Sequence, residues 1–162
     1  PFGDRRESGV RHSPARLMLI DADDRTMTFA EVRDRAERVA AGFAALGVEE
    51  GTPVTWVLPT RMETIVASMA LSRLGAVQNP IIHIYRDREV GFCIRQMGAE
   101  MVLVPGEWGG FDYTAMVERV TADLDAPPAI LEAYADLPEG DPATLPPVAP
   151  TAEPGDEPIC WT

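Results

Sequence analysis

The stretch TFAEVRDRAERVAAGFAALGVEEGTPVTWVLP, residues 28–59, decides the fold. It opens with Thr28 as a helix N-cap and Glu31 three positions later, which is the spacing of a capping box. Apolar residues then recur at helical spacing over 30–46, and Gly47 predicts the end of the helix. After the turn EEGTP, VTWVLP is apolar on both faces, as in a strand buried within a parallel sheet. A helix followed by such a strand predicts an α/β unit.

The same pattern continues along the chain. TRMETIVASMALSRLG carries Thr60 and Glu63 at capping-box spacing and Gly75 at its end. Strands are predicted at AVQNPII, where Pro80 predicts a bend or a loss of pairing, and at AEMVLVP and PPAILEA. Strand and helix therefore alternate, which predicts an α/β fold with a mostly parallel sheet and helices on both faces. The predicted helices span 30–46, 61–74, 87–97 and 112–124.

Charge and composition exclude several classes of function. The 162 residues carry 26 acidic and 14 basic side chains, a net charge of −12, so nucleic acid is not expected as a partner. All the basic residues are Arg, which excludes a lysine Schiff base, a P-loop lysine and a lysine general base. No apolar run is long enough to span a membrane. Cys93 and Cys160 are too few for a disulfide scaffold, so we expect two free thiols and a cytoplasmic location.

No constellation of residues in the sequence predicts a catalytic, cofactor-binding or metal site. Asp21–Asp24 follows a strand, as Mg²⁺ ligands do, but it also precedes a strand, and we interpret it as a hairpin turn. His12 and His83 lack neighbours at metal-ligand spacing, although His83 follows a strand, where open α/β sheets place ligands. Cys93 falls on the apolar face of a helix. PGEWGG lacks phosphate-loop spacing and is interpreted as a loop, in which Trp108 is available to cover a neighbouring group.

The order of these elements and the motifs inside them resemble the start of the adenylate-forming acyl-CoA synthetase family. MTFAEVRDRAERVAAGFAALGVEEGTPVTWVLP is similar to that family's Thr-Tyr-x-Glu-Leu helix, Leu-Gly-Val turn and Gly-Asp-x-Val strand, with Thr52 in place of the usual Asp. MALSRLGAVQNPI resembles its Ala-x-x-Leu-Gly-Ala-Val-x-x-Pro segment. NPIIHIYRDREVGFCIRQMGAEMVLVP looks closest to the subgroup of cyclohexanecarboxylate and medium-chain acyl-CoA ligases. The resemblance covers nearly the whole chain from Leu17.

The resemblance implies an AMP-forming reaction in a longer protein. A small-molecule carboxylic acid reacts with ATP and Mg²⁺ to give an acyl-adenylate and pyrophosphate, and CoA then displaces AMP. The family's phosphate loop follows a strand similar to PICWT, at the end of this sequence, so its lysines and binding pockets are expected downstream. No catalytic or binding residue of the family is therefore carried onto this chain, and the 162 residues alone are expected to be inactive.

Three segments are predicted. Residues 1–133 form the α/β subdomain, residues 134–158 form a Pro-rich acidic linker, and residues 159–162 begin the strand that leads to the family's nucleotide loop. Because the helix at 61–74 is apolar nearly all round, we expect one side of it to be exposed in this chain or covered by self-association. The alternative to a ligase is a free-standing small α/β module for binding or signalling. Its phospho-acceptor version needs a Lys, which the chain lacks.

Overall fold

The computed structural model of the chain describes residues 13–135 and 137–147. The predicted strand at 159–162 and Cys160 lie outside these residues, as do His12 and the last part of the predicted linker. A short hairpin precedes an alternation of strands and helices. In chain order the elements are β1 (Leu17–Ile20), β2 (Thr26–Thr28), α1 (Phe29–Ala45), β3 (Pro53–Trp56), α2 (Met62–Leu74), β4 (Val77–Pro80), α3 (Asp87–Met97), β5 (Met101–Val104), β6 (Glu107–Trp108), β7 (Phe111–Asp112), α4 (Tyr113–Thr121) and β8 (Ala129–Glu132), followed by a 3-10 helix at Pro142–Thr144.

Strands β3, β4, β5 and β8 form one parallel sheet in the order β4-β3-β5-β8. The sequence MVLV of β5 is buried at all four positions, which is why it reads as an unbroken apolar run. Met101 and Leu103 face one side of the sheet, and Val102 and Val104 face the other. The prediction of a mostly parallel sheet is confirmed. β1 with β2 and β6 with β7 form separate antiparallel pairs.

Two helices cover each face of the sheet. α1 and α2 pack on one face, around a core that includes Phe43 and Leu71. α3 and α4 pack on the other face, around a core that includes Ile94 and Met116. The prediction of helices on both faces is therefore confirmed, and each face of the sheet has its own apolar core.

The first helix begins and ends as predicted. The Thr28 hydroxyl accepts a hydrogen bond from the Glu31 N–H at 3.3 Å, and the Glu31 carboxylate accepts one from the Thr28 N–H at 2.7 Å. Both halves of the capping box are thus present. Gly47 follows the helix with a φ of 92°, a left-handed conformation that glycine adopts without strain.

The second helix does not use the capping box predicted for it. Arg61, not Thr60, is its N-cap residue. Glu63 does not reach back to the cap, because its carboxylate accepts hydrogen bonds from the Arg25 guanidinium at 2.8 and 3.2 Å. The predicted cap at Thr60 is therefore wrong. The predicted helix end at Gly75 is confirmed, with a φ of 75°.

The expectation of an exposed side on α2 is also wrong. Seven of its thirteen residues are buried, and only Ser72 is exposed. α1 packs along one side, and the β1–β2 hairpin contributes Leu19 and Met27 to a small cluster around Met69. The described part of the chain itself covers this helix. That the chain self-associates stays a prediction.

Pro80 does not end the pairing of β4. It lies opposite Trp56 in register, and the Ile81 N–H donates to the Trp56 carbonyl at 2.9 Å. The predicted loss of pairing is wrong because the N–H groups of alternate residues in a parallel strand point to the same neighbouring strand. In β4 the N–H groups of Val77 and Ile81 point to β3, so Pro80 is not needed as a donor there. The nitrogen of Pro80 faces the other side of β4, where no strand of the described residues pairs and no ladder hydrogen bond is required.

The segment PGEWGG contains a hairpin where a loop was predicted. Trp108 of β6 lies opposite Phe111 of β7. The turn between them has Gly109 and Gly110 at φ 58° and 75°, conformations that favour glycine. Each strand has two residues, which is too short for the alternation that reveals a strand in a sequence.

Residues 137–147, which we refer to as the strap, pack along α1. The Gly140 N–H donates to a carbonyl of α1 at 2.9 Å, and Leu137 is buried in the core. Gly42 of α1 makes room for the strap, since a Cβ at this position would lie 2.3 Å from the Pro138 backbone. The described part of the predicted linker is therefore held against the subdomain.

Candidate functional site at the carboxyl edge of the sheet

The strand order places a crevice between the ends of β3 and β5. From β3 the chain runs to β4 on one side, and it then returns past β3 to β5 on the other side. Open α/β sheets bind ligands outside the carboxyl ends of their strands, at the point where the strand order reverses. The segments that follow β3, β5 and β8 therefore form the candidate functional site.

Three side chains from these segments meet over the crevice, and we call them the clamp. Arg61 follows β3, Trp108 lies in the hairpin after β5, and Tyr134 follows β8. The guanidinium carbon of Arg61 lies 5.3 Å from the centre of the Trp108 ring and 5.6 Å from that of Tyr134. The two rings meet edge to face with their centres 5.6 Å apart. These are cation–π and aromatic contacts, so the three side chains bind one another at the carboxyl ends of the strands.

The Tyr134 hydroxyl joins the clamp to the segment that follows β3. It donates a hydrogen bond to the carbonyl of Pro59. The hydroxyl of Thr64, which is buried, donates to the same carbonyl at 2.6 Å and lies 3.0 Å from the Tyr134 hydroxyl. Burial raises the pKa of Tyr134 above its usual value of 10.0, so the phenol stays protonated at neutral pH and keeps donating.

The charged groups beside the clamp are paired with one another. Arg61 binds Asp23 of the β1–β2 turn at 3.0 Å and lies 3.8 Å from Glu63. Burial by itself raises the pKa of Glu63, but the hydrogen bonds from Arg25 and the charges of Arg25 and Arg61 outweigh burial and hold that pKa below its usual value. Both arginines are thus engaged by carboxylates rather than directed at a ligand.

The carboxylate at the end of β8 also has an internal partner. Glu132 accepts a hydrogen bond from the Thr114 hydroxyl at 2.5 Å. Gly106 lies against the same carboxylate, since a Cβ at Gly106 would lie 3.1 Å from Glu132 Oε2. At this edge of the sheet, the aromatic, cationic and anionic side chains described above connect the segments that follow β3, β5 and β8.

The residues singled out from the sequence lie apart from one another. His83 lies after β4, and its backbone carbonyl accepts hydrogen bonds from the Tyr113 hydroxyl at 2.8 Å and from Arg86 at 2.9 Å. Cys93 is a free thiol, half-buried against the second core. The acidic stretch after β1 forms the predicted hairpin turn and reaches the clamp through Asp23. That none of these residues has a catalytic, cofactor-binding or metal-binding role stays a prediction.

Sequence reasoning singled out Trp108 but not its two partners in the clamp. The groups that Trp108 covers are the Arg61 guanidinium and the Tyr134 ring. Arg61 had a usable signal, because it directly follows a predicted strand at the ligand-binding edge. Tyr134 had none, because it opens a segment that the sequence predicts as linker.

The described residues limit the kind of site that they can form. No three His, Cys, Asp or Glu side chains in this part of the chain are grouped so as to hold a metal ion. Nor is any helix within residues 13–135 and 137–147 long and apolar enough to cross a membrane.

Fold and site together define a parallel α/β subdomain in which Arg61, Trp108 and Tyr134 contact one another where the strand order reverses. A family model described as AMP-binding enzyme matches residues 7–158. The chain therefore belongs to the AMP-binding enzyme family. The resemblance is confirmed as far as the AMP-binding enzyme family. That the longer protein is an acyl-CoA synthetase, and that it belongs to the medium-chain and cyclohexanecarboxylate subgroup, stay proposals.

Individual relatives agree with this assignment. Triostin synthetase I from Streptomyces triostinicus is 32% identical over 120 residues, which are 74% of this chain and 23% of that protein. A salicyl-AMP ligase / salicyl-S-ArCP synthetase from Mycobacterium tuberculosis is 34% identical over 118 residues, 70% of this chain and 21% of that protein. The o-succinylbenzoate coenzyme A synthetase of Bacillus subtilis, solved with ATP and magnesium ion, shares the fold with a TM-score of 0.66 at 23% identity, over 83% of this chain and 26% of that one. The chain thus spans between 21% and 26% of the length of these three proteins.

Proposed function

We propose that the chain is the N-terminal α/β subdomain of a longer AMP-forming acyl-CoA synthetase, an acid–thiol ligase. The observation that carries the proposal is the family match over residues 7–158. Its fold is shared with a coenzyme A synthetase solved with ATP and magnesium ion, which supports ATP, Mg²⁺ and CoA as the cofactors and substrates of the longer protein. Relatives named as AMP ligases and as CoA ligases support the two halves of the chemistry.

The proposed reaction joins a carboxylic acid to CoA in two steps. A carboxylate oxygen bonds to the α-phosphorus of ATP, and the bond from that phosphorus to the β-phosphate oxygen breaks, which releases pyrophosphate. The sulfur of CoA then bonds to the acyl carbon, the bond from that carbon to the AMP oxygen breaks, and the thiol proton leaves. Activation comes first because AMP is a far better leaving group than an oxide ion.

The described residues do not fit a site for ATP, Mg²⁺ or CoA. Phosphate sites combine a glycine-rich loop with a cation, whereas this chain has no Lys and the arginines beside the crevice are paired with carboxylates. The described residues offer no metal-holding group either. In this proposal the three ligands are bound by residues outside the described chain, and the 162 residues are inactive alone.

The role proposed for this subdomain is a rigid support. The clamp joins the segments after β3, β5 and β8 to the β1–β2 hairpin, and its charged and aromatic groups contact one another. Because these groups are paired within the chain, substrate binding is left to other parts of the longer protein. The subdomain then contributes a fixed parallel sheet against which those parts are placed.

Two classes of acid are candidates for the substrate. The stretch IIHIYRDREVGF, residues 81–92, resembles the medium-chain and alicyclic subgroup and favours an acid such as cyclohexanecarboxylate. Several relatives are named for aromatic acids, among them salicyl, 2,3-dihydroxybenzoate and 4-coumarate ligases, and these favour an aryl acid. We propose the medium-chain or alicyclic acid and keep the aryl acid as the second candidate.

The proposed location is the cytoplasm. Cys93 is a free thiol, and the low cysteine content suits a reducing compartment. The proposed partners are small molecules, namely the acid, ATP and CoA. With a net charge of −12, the chain is not expected to bind nucleic acid.

The test is carboxylate-dependent exchange of pyrophosphate into ATP. The 162-residue chain and the product of the complete reading frame are assayed against straight-chain acids from acetate to palmitate, cyclohexanecarboxylate, salicylate and 4-coumarate. We expect exchange and acyl-CoA formation by the longer protein and no exchange by the 162 residues. Preference for salicylate or 4-coumarate would decide for the aryl candidate.

Two results would overturn the proposal. Exchange by the 162 residues alone would show that the site lies within this chain. A complete gene product that is inert with every acid but binds a phosphodonor or a protein would favour the free-standing signalling module.

A further inference from the structure

The β1–β2 hairpin is attached to the subdomain without a fully buried side chain. Every residue from 13 to 30 is exposed or half-buried, and Leu17 and Ile20 of β1 are 56% and 65% exposed. Two strands alone are marginally stable in water, so the hairpin depends on its contacts with α1 and α2. Elements that bury little apolar surface open at a lower free energy than the core. The packing comes from three half-buried side chains: Met18, Leu19 and Met27.

Ion pairs between the hairpin turn and the start of α2 supply a second attachment. The Arg25 guanidinium donates to both carboxylate oxygens of Glu63, at 2.8 and 3.2 Å, and Arg61 donates to Asp23 at 3.0 Å. A bidentate pair of this kind is among the stronger hydrogen-bonded contacts. The Glu63 side chain is 13% exposed, so solvent screens its charge less than that of a surface acid. Arg25 also binds Asp21, but that pair lies within the turn and does not join it to α2.

The two large cores do not depend on the hairpin. Their buried residues all lie at or beyond residue 39, and Met27 packs only at the edge of the first core. The capping box of Thr28 and Glu31 closes α1 without using a residue before Thr28. Opening of residues 13–27 therefore breaks the β1–β2 ladder and the hydrogen bonds from Phe29 and Ala30 to carbonyls of residues 14–16, and it leaves both cores in place.

We propose that residues 13–27 form a unit that opens while the rest of the subdomain stays folded, and that the ion pair between Arg25 and Glu63 keeps this unit closed. Opening uncovers Met69 on α2 and takes Asp23 away from Arg61 of the clamp. The hairpin therefore controls how Arg61 is paired at the carboxyl edge of the sheet. The proposal is independent of the ligase function, because it concerns the 162 residues alone.

Acid releases the pair that keeps the unit closed. The groups that face Glu63 are Arg25 of the hairpin turn, Arg61 of its own segment and the Tyr134 hydroxyl after β8. The guanidinium groups and the phenol keep their protons between pH 3 and pH 7, so the pair responds to acid through Glu63. The pKa of Glu63 in the closed unit lies below its usual value of 4.5. Its contribution is therefore complete above that value and is lost as the pH falls through the lowered pKa.

The test is hydrogen exchange of the 162-residue chain, followed by NMR and converted to an opening constant at each pH. The Phe29 and Ala30 N–H groups report on the unit, since they donate to carbonyls of residues 14–16, and the N–H groups of β5 report on the core. At pH 7 we expect the opening constant of the two reporters to be at least about tenfold larger than that of β5. It should rise further below about pH 4.5.

Two variants test the part played by the ion pair. Glu63→Gln should raise the opening constant of the two reporters about tenfold at pH 7 and reduce its rise in acid, because it removes a hydrogen-bonded charge. Asp123→Asn is the matched control: it removes an equal charge from a pair with Arg95, outside the unit, and should leave that constant unchanged. Circular dichroism checks that both variants fold.

Two results would overturn the proposal. Equal opening constants for the two reporters and for β5 would show that residues 13–27 open only when the whole chain unfolds. A Glu63→Gln variant that leaves the reporters unchanged at pH 7 would show that its pair with Arg25 does not keep the unit closed.

Discussion

Two threonines with the same local signal have different roles. Thr28 caps α1 through its side chain, whereas Thr60 precedes the N-cap of α2 and lies exposed. We expect Thr28→Ala to lower the free energy of unfolding by about 1 kcal/mol, since a lost N-cap leaves an unpaired N–H. Thr60→Ala should change it by less than about 0.5 kcal/mol, as a surface substitution does. Urea unfolding followed by circular dichroism measures both, and equal losses would show that Thr60 also acts as a cap.

Gly42 allows the strap to approach α1. Its replacement by Ala places a methyl group 2.3 Å from the Pro138 backbone, which must then move. We expect Gly42→Ala to lower the free energy of unfolding by about 1–3 kcal/mol, the usual cost of overpacking. Gly91→Ala is the comparison in another helix: the added methyl meets the end of the Arg95 side chain at 2.9 Å and Val120 Cβ at 3.2 Å but no backbone atom, so a smaller loss than at Gly42 is expected. A stabilising Gly42→Ala would contradict the close approach.

Glu63 makes part of the stability depend on pH. Its pKa in the folded chain lies below its usual value of 4.5, so its contribution is complete above that value and is lost as the pH falls through the folded pKa. We expect Glu63→Gln to be less stable than the parent chain at pH 7 and the difference to shrink below about pH 4.5. Urea unfolding between pH 3 and pH 7 checks this.

The control for Glu63 is an exposed acid. Asp123 pairs with Arg95 while its side chain is 73% exposed, so solvent screens the pair. Asp123→Asn should change stability less than Glu63→Gln at pH 7. A constant deficit of Glu63→Gln across the pH range would show that its charge does not matter.

At the scale of elements, the clamp joins three segments that are distant in sequence. Tyr134→Phe keeps the ring beside Arg61 and Trp108 but removes the hydroxyl that donates to Pro59. We expect it to lower the free energy of unfolding by about 1 kcal/mol, the usual net value of one buried hydrogen bond. Tyr85→Phe, at an exposed tyrosine, should change it by less than about 0.5 kcal/mol. Equal changes in the free energy of unfolding for the two variants would show that the hydrogen bond from the Tyr134 hydroxyl does not stabilise the fold.

Elements with a strong local pattern could be predicted from the sequence, and contacts between distant segments could not. The box at Thr28 and the apolar run of β5 are local, and both appear as predicted. The box at Thr60 fails because Arg25, far along the chain, binds Glu63 instead. The clamp depends on the order of the strands, which brings the segments after β3, β5 and β8 together. No short window of sequence contains that information.

For the whole molecule, the contacts of the strap bear on where the folded unit ends. The sequence predicts that the α/β subdomain ends at residue 133. In the structure Leu137 is buried, and the strap forms a hydrogen bond to α1 through the Gly140 N–H. We expect a chain ending at residue 147 to unfold with the same free energy as the parent chain. A chain ending at residue 133 should lose more than about 2 kcal/mol, because it uncovers apolar surface of the core. Equal stability of the two shortened chains, measured by urea unfolding, would support the boundary at 133.

The proline in β4 bears on how the chain behaves while it is being synthesised. Newly made chains emerge close together on neighbouring ribosomes, where the open edge of one sheet meets strands of another. An incoming strand that pairs with β4 loses one ladder bond at Pro80, since this residue has no N–H to donate. Joining of nascent chains through the β4 edge is therefore disfavoured once β4 has formed.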